Sequence, residues 1–295
     1  ANDEVSMEQF TTRLPNQSIA KQILQVILLI SFTILLLAMI RLFPIPASDW
    51  PFIWEAARRP WMPYEVHGYY NPPWVAGFFI PLGMIPYSWS LVLNRSAILV
   101  TTLLVVRRSG GGLSAMLLAL TSAPFVVLFA NANIDWLPML ALLLPYETGL
   151  IFLMSKPQGM FGLLLIWWHN SEWDRRWKMI ALGCGILLVS LWIWGMWPLT
   201  WLATARNIPD LTWNISSILK PYGMVLGLCL LIFAWFANEE LYALTASIFL
   251  TPYLSFYSFT PIVVVLIGRN RVMGGLVWGC LWILHLVMRR EAMGL

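Results

Sequence analysis

Apolar residues run along this chain in blocks of bilayer length, broken by short polar punctuation. A helix rises about 1.5 Å per residue, so crossing about 30 Å of hydrocarbon takes about 20 residues. Blocks near that length stand at Gln22–Phe43, Ser88–Val106, Leu113–Ala130, Met179–Trp197, Tyr222–Ala237, Leu241–Phe259 and Val272–Met288. Shorter apolar pieces stand at Pro73–Pro86, Asp135–Leu144, Gly149–Met154, Met160–Trp168 and Pro261–Gly268. Pieces that short fit broken or re-entrant segments better than complete spans. The pattern predicts an all-α polytopic membrane protein with about nine to eleven transmembrane, broken or re-entrant helices.

The polar punctuation orders these blocks. A leader of mixed charge, residues 1–21, precedes a single transmembrane domain, residues 22–295. The first apolar run is a full bilayer long, which fits a retained span rather than a cleaved signal. Arg107 and Arg108, then Arg175, Arg176 and Lys178, then Arg269 and Arg271 form the strongest basic clusters. Such clusters collect on the cytoplasmic side. With the leader also inside, residues 44–72 become a first outer loop and residues 198–221 a late one. One complete crossing then separates the first loop from Arg107. The segment Pro73–Pro86, with prolines at 73, 81 and 86, is therefore expected to dip in and return. The same counting puts Asn131–Asn133, Lys156 and Pro252–Tyr257 at or near the outer face.

Composition narrows the class. Apolar residues make up 59% of the 295 and charged ones 11%, against roughly 45–50% and about 25% in soluble proteins. Eighteen basic and 14 acidic side chains cannot cover a soluble globule of this size. A disordered chain, a disulfide scaffold and a nucleic-acid-binding domain are poor fits. Cys184, Cys229 and Cys280 each sit inside an apolar run and read as small hydrophobes, not as a disulfide or metal framework. No GxSxG, P-loop or GxGxxG occurs, and His67, His169 and His285 are too scattered to suggest zinc.

Candidate chemistry concentrates in the first outer loop, where Asp49, Glu55, Arg58, Arg59, Glu65, His67 and several tyrosines crowd together. One reading is an amphipathic interfacial helix, with Trp50, Trp54 and Trp61 in lipid and Arg58 and Arg59 on headgroups. The other is a wall of an active site with Asp49 as general base. Lys156 in MSKPQG is either a snorkelling helix-end lysine or a phosphate contact beside a break at Pro157. Asn131, Asn133 and Asp135 either cap the next helix or hydrogen-bond a polar substrate.

Taken in order, these landmarks carry a resemblance. Asp49, Ala56, Ala57, Pro63 and Tyr64, then YNPPW leading to PLGMIP (Tyr70 to Pro86), then NANID (Asn131–Asp135) and SKPQ (Ser155–Gln158) follow one another along the chain. WNISS (Trp213–Ser217) and LTPYLSFYS (Leu250–Ser258) complete the series. The series resembles the GT-C-fold glycosyltransferases that use polyprenyl-phosphate sugars, in the bacterial branch of mannosyl- and arabinofuranosyltransferases. The chain departs from that branch where NANID replaces its Gly-Gln-Val-Asn and where Thr251 replaces a serine.

The resemblance implies an integral protein of a bacterial plasma membrane, with its N-terminus cytoplasmic and no required cofactor. It implies transfer of a sugar, with inversion, from a polyprenyl-phosphate donor to a hydroxyl of a glycolipid, glycan or protein at the outer face. Asp49 would be the base, and Lys156, Arg58 and Arg59 would hold the donor phosphate. Tyr64, His67, Tyr70, Asn71, Asn131, Asn133, Gln158, Asn214, Ser216 and Tyr257 would bind substrate. A non-catalytic GT-C-like membrane subunit of a larger complex is the alternative.

Overall fold

A computed structural model describes residues 47–206, 222–251 and 255–292, and the regular structure in them is entirely helical. The leader, the span expected at Gln22–Phe43, and Asn214 and Ser216 lie outside the described residues. Among the described residues, three helices are long and apolar enough to cross a membrane: α4 (Tyr87–Arg108), α10 (Trp173–Trp194) and Arg271–Met288 within α15 (Arg271–Ala292).

Other expected spans are interrupted, each for a local chemical reason. Leu113–Ala130 is a pair, α5 (Leu113–Leu120) and α6 (Ala123–Asn131), bent by 61°. At the bend the Thr121 and Ser122 hydroxyls donate back to the carbonyls of Leu117 and Ala119, 3.0 and 2.7 Å away. Pro124 then offers no N–H to continue the ladder. Leu241–Phe259 becomes α13 (Glu240–Leu250) followed by a 3₁₀ turn at Phe256–Phe259 and α14 (Thr260–Arg269). There Thr251 donates back to the Ser247 carbonyl at 2.6 Å and takes the extended backbone favoured before a proline.

The middle of the chain is built from short pieces: α7 (Trp136–Met139) with a 3₁₀ turn at Leu140–Leu143, α8 (Tyr146–Leu153) and α9 (Gly162–Asn170). The remaining long elements are α11 (Trp197–Arg206) and α12 (Tyr222–Ala237).

The first loop folds onto protein. Its helix α1 (Trp50–Arg58) buries Trp50, Ile53, Ala56 and Ala57, a spacing that lines one face. The segment expected to dip forms α2 (Pro73–Phe78) and α3 (Ile80–Gly83), both too short to cross. Its far end bonds to the same loop, Trp54 Nε1 donating to the Ile85 carbonyl at 3.2 Å, while within the loop Tyr64 donates to the Asn71 carbonyl at 3.2 Å. Gly83 permits the contact, because a Cβ there would come within 3.0 Å of the Ala57 backbone.

This packing corrects the lipid-facing reading of the loop tryptophans. Trp50 is wholly buried, edge-on to Phe79 at 5.4 Å, and Trp54 is half-buried; only Trp61 of the three is exposed, at 69%. Further tryptophans tie the loop to the bundle, since Trp194 and Trp201 each donate at 2.7 Å, to the carbonyls of Pro60 and Tyr70.

The bundle has two chemically distinct ends. At one, Arg269 pairs with Glu239 at 2.6 Å and Arg175 with Glu147 at 3.6 Å, while Trp167 Nε1 donates to Glu240 at 3.1 Å. Gly268 packs so closely on Ser109 there that a Cβ would lie 2.5 Å from the serine Cβ. A close-packed apolar layer including Leu153, Met160, Leu163, Leu244, Ile248, Val263 and Ile267 separates this arginine end from the other. Within it Gly162 donates its N–H to Ser247 Oγ at 2.8 Å, which brings α9 and α13 into backbone contact.

Candidate functional site

The site begins with the way α6 stops. Ala132 takes the left-handed conformation (φ 52°), which turns the chain away from the helix axis; its N–H still reaches back to Leu128 and Phe129, but the carbonyls at the end of α6 are left short of helical donors. Two side chains of α4 supply those donors. Arg95 donates from Nε to the Phe129 carbonyl at 3.2 Å and from a terminal nitrogen to the Ala130 carbonyl at 3.0 Å. Asn94 donates to the Ala132 carbonyl at 2.7 Å and accepts from Trp136 Nε1 at 2.8 Å. A cation at a helix C-terminus also meets the negative end of the helix dipole. The turn is thereby fixed, with Asn133 and Asp135 side by side.

Around them the predicted residues converge. Asn133 Nδ2 donates to Asp49 Oδ2 at 2.6 Å and to the Tyr257 hydroxyl at 2.9 Å. Its Oδ1 accepts from Lys156 Nζ at 3.2 Å and from the Asp135 N–H at 3.1 Å. The amide orientation follows from these partners, because an ammonium and a backbone N–H can face only its oxygen. Lys156 also forms an ion pair with Asp135, and Ser258 Oγ donates to the other carboxylate oxygen at 3.1 Å. The Tyr257 ring centroid lies 5.0 Å from Nζ, within cation–π range.

Asp49, Asn133, Lys156 and Tyr257, up to 124 residues apart for a bonded pair, thus share one polar network. The Lys156 side chain is 15% exposed and that of Asp135 6%, which corrects the reading of Lys156 as a snorkelling residue. A lysine at mid-membrane costs about 2.5–3.5 kcal/mol on insertion scales. The Asp135 carboxylate and the Asn133 oxygen offset that cost.

Asn131 joins through its backbone, its carbonyl accepting the Asp49 N–H at 3.2 Å. Gln158, two residues past Lys156, bonds through its carbonyl to the Thr251 hydroxyl and not to the network. The helix-cap reading of Asp135 is corrected: it precedes α7, but its side chain makes no cap bond.

Arg58 and Arg59 are not brought to Lys156. They stand at the far end of α1 from Asp49, pair with Glu55 at 3.7 and 3.0 Å, and are about half exposed; Arg58 also lies 4.7 Å over Trp54. His67 is exposed, and Tyr64, Tyr70 and Asn71 are half-buried in the loop that follows. Burial pushes the Tyr64 and Tyr69 phenols well above the usual tyrosine range, so both act as hydrogen-bond donors. Tyr69 donates to the Pro72 carbonyl at 2.8 Å and accepts the Ala76 N–H at 3.0 Å, locking the entry to α2.

Beside the network lies an apolar groove of about 300 Å³, walled by Trp74 and Phe78 of α2, Ile151 of α8, and Val189 and Ile193 of α10. Ser155, next to Lys156, also lines it. Among the described residues no three acidic, histidine or cysteine side chains gather as a metal site.

The arrangement supplies a half-buried carboxylate at Asp49 and an enclosed ammonium at Lys156, bridged by one amide and flanked by an apolar trough. Set against known protein families, curated proteins and solved structures, the chain matches none, and what the site does must be read from its own geometry.

Proposed function

We propose that the chain is a membrane glycosyltransferase that moves a sugar from a polyprenyl-phosphate donor to an acceptor hydroxyl. The observation that carries this reading is the bridge through Asn133, which holds the Asp49 carboxylate and the Lys156 ammonium on either side of one amide. Asp49 takes the proton of the acceptor hydroxyl as its oxygen attacks the anomeric carbon. The bond from that carbon to the phosphate oxygen breaks, and the electron pair leaves with the polyprenyl phosphate. Attack opposite the leaving group inverts the configuration.

An ammonium has three N–H groups, and Asp135 and Asn133 engage two of those on Lys156. The third is available to a phosphate oxygen, and charge stabilisation in an enclosed site is a large catalytic term. The groove ending at Ser155 suits the apolar chain of such a donor. Arg58 and Arg59 have no part in this reading. The resemblance of NANID and SKPQ to the bacterial GT-C branch supports it, as does its implied setting in a plasma membrane with the N-terminus inside.

A second reading, a non-catalytic membrane subunit, draws on the same pair: Lys156 and Asp135 satisfy each other without any ligand. The test is transfer from a panel of radiolabelled polyprenyl-phosphate sugars, in membranes carrying wild type or Asp49→Asn at equal abundance. Transfer by wild type and none by the variant is expected. Absence of transfer from every donor, with the chain folded, would leave the subunit reading.

A further inference from the structure

We infer that the polar network stands near the middle of the bilayer's thickness and is open to water only from the end opposite the arginines. The inference rests on the membrane reading and not on transferase activity.

Helix lengths set an upper bound on the distance between the network and the arginine end. Along α14, Thr260 at the network and Arg269 at the other end are separated by helix alone, about 14 Å of rise. Along α13, Glu240 and Thr251 are separated by about 16 Å. Asn94 and Arg107 on α4 give about 20 Å. Tilt of any helix shortens these figures. With the arginines at one boundary of about 30 Å of hydrocarbon, the network lies about 10–16 Å below the other.

What fills the space on the arginine side is dry. Leu153, Met160, Leu163, Leu244, Val263 and Ile267 are all buried to within 1% and belong to one packed cluster. An ammonium with a residual exposure of 15% therefore does not meet water through that layer. Asp49 keeps part of its surface exposed and bonds Asn133 across the amide from Lys156. The long helix α10 packs on the short α8, whose eight residues cannot cross the bilayer, so a high wall stands beside a low floor. A group that reaches the floor from water must be slender and polar, such as a sugar, and cannot be the surface of a folded protein.

The test uses the full chain with Cys184, Cys229 and Cys280 replaced by alanine and a single cysteine at Gln158 or at Lys156. Gln158→Cys keeps the Lys156–Asp135 pair, so its result decides if Lys156→Cys does not fold. A nitroxide on that cysteine, in bilayers, is read by power saturation with oxygen and with a water-soluble nickel chelate. Depth nearer the bilayer centre than either headgroup layer, with measurable chelate access, is expected. Depth at a headgroup layer overturns the inference.

In sealed vesicles a membrane-impermeant thiol reagent should modify the same cysteine from the side opposite the one that modifies Arg107→Cys. Modification from the Arg107 side, or from neither side, overturns the one-sided access. Both readouts stand whether or not sugar transfer is found.

Discussion

Two charged clusters of this molecule each join a carboxylate to a cation and behave differently. Glu55, Arg58 and Arg59 lie a helical turn apart on α1, at 3.7 and 3.0 Å, with the arginines about half in solvent. Asp135 and Lys156 stand 21 residues apart in sequence and meet where little solvent reaches either. The first cluster is dense in sequence, and the side-chain links it makes among the described residues, Arg58 over Trp54 included, stay on its own helix. The second is sparse in sequence, and every polar neighbour is bonded to it. Exposed pairs contribute little, because water and salt screen them and ordering long side chains costs entropy. An enclosed pair cannot lose one member without leaving a charge in a poor solvent. Enclosure with shared hydrogen bonds, and not charge density along the chain, marks the site.

The comparison is broken most severely by removing one enclosed partner. Lys156→Met should cost about 3–5 kcal/mol, read as thermal unfolding in detergent. Adding Asp135→Leu should return a large share of that loss without restoring sugar transfer. A double substitution no more stable than the single one would show that the two charges do not act as a pair.

Next in size is Arg95→Met, which removes the side-chain donor from the Ala130 carbonyl and leaves the Phe129 carbonyl only the Ala132 N–H. About 1.5–3 kcal/mol should be lost, and transfer should fall with it as Asn133 shifts. A third substitution, Asn133→Ala, should cost about 1–2 kcal/mol. Its larger effect is on turnover, roughly 10²-fold, because Asp49 and Lys156 lose the amide that spaces them. Smallest of all, Arg58→Ala and Arg59→Ala should each change stability by no more than about 0.5 kcal/mol and leave transfer unchanged. A large loss of transfer in either would return the loop arginines to the site.

The helical class was legible because apolar blocks of bilayer length admit little else. Asp49, Asn133 and Lys156 stood out as polar residues beside apolar runs, whereas Tyr257 entered through the resemblance of LTPYLSFYS. The breaks were harder to read. Thr121, Ser122 and Thr251 terminate helices through hydroxyls that bond back to their own carbonyls, and hydropathy is blind to that geometry. The arginines of α1 misled because their proximity to Asp49 in sequence is spent along a helix axis pointing away from it. Asn94 and Arg95 were overlooked inside a long apolar run. A cation within a span is costly enough to be a signal by itself, and Arg95, 3% exposed, is that signal. The loop tryptophans read as lipid anchors by composition; which carbonyl an indole N–H finds is a tertiary matter.

The central claim is that the enclosed network carries the transfer and the exposed cluster does not. The direct measurement is the rate of sugar transfer from a polyprenyl-phosphate donor by Asp49→Asn and Arg59→Ala chains, each normalised to folded protein. The account predicts loss of about 10²-fold or more for Asp49→Asn and a wild-type rate for Arg59→Ala. Equal rates in the two, whether both intact or both lost, would contradict it.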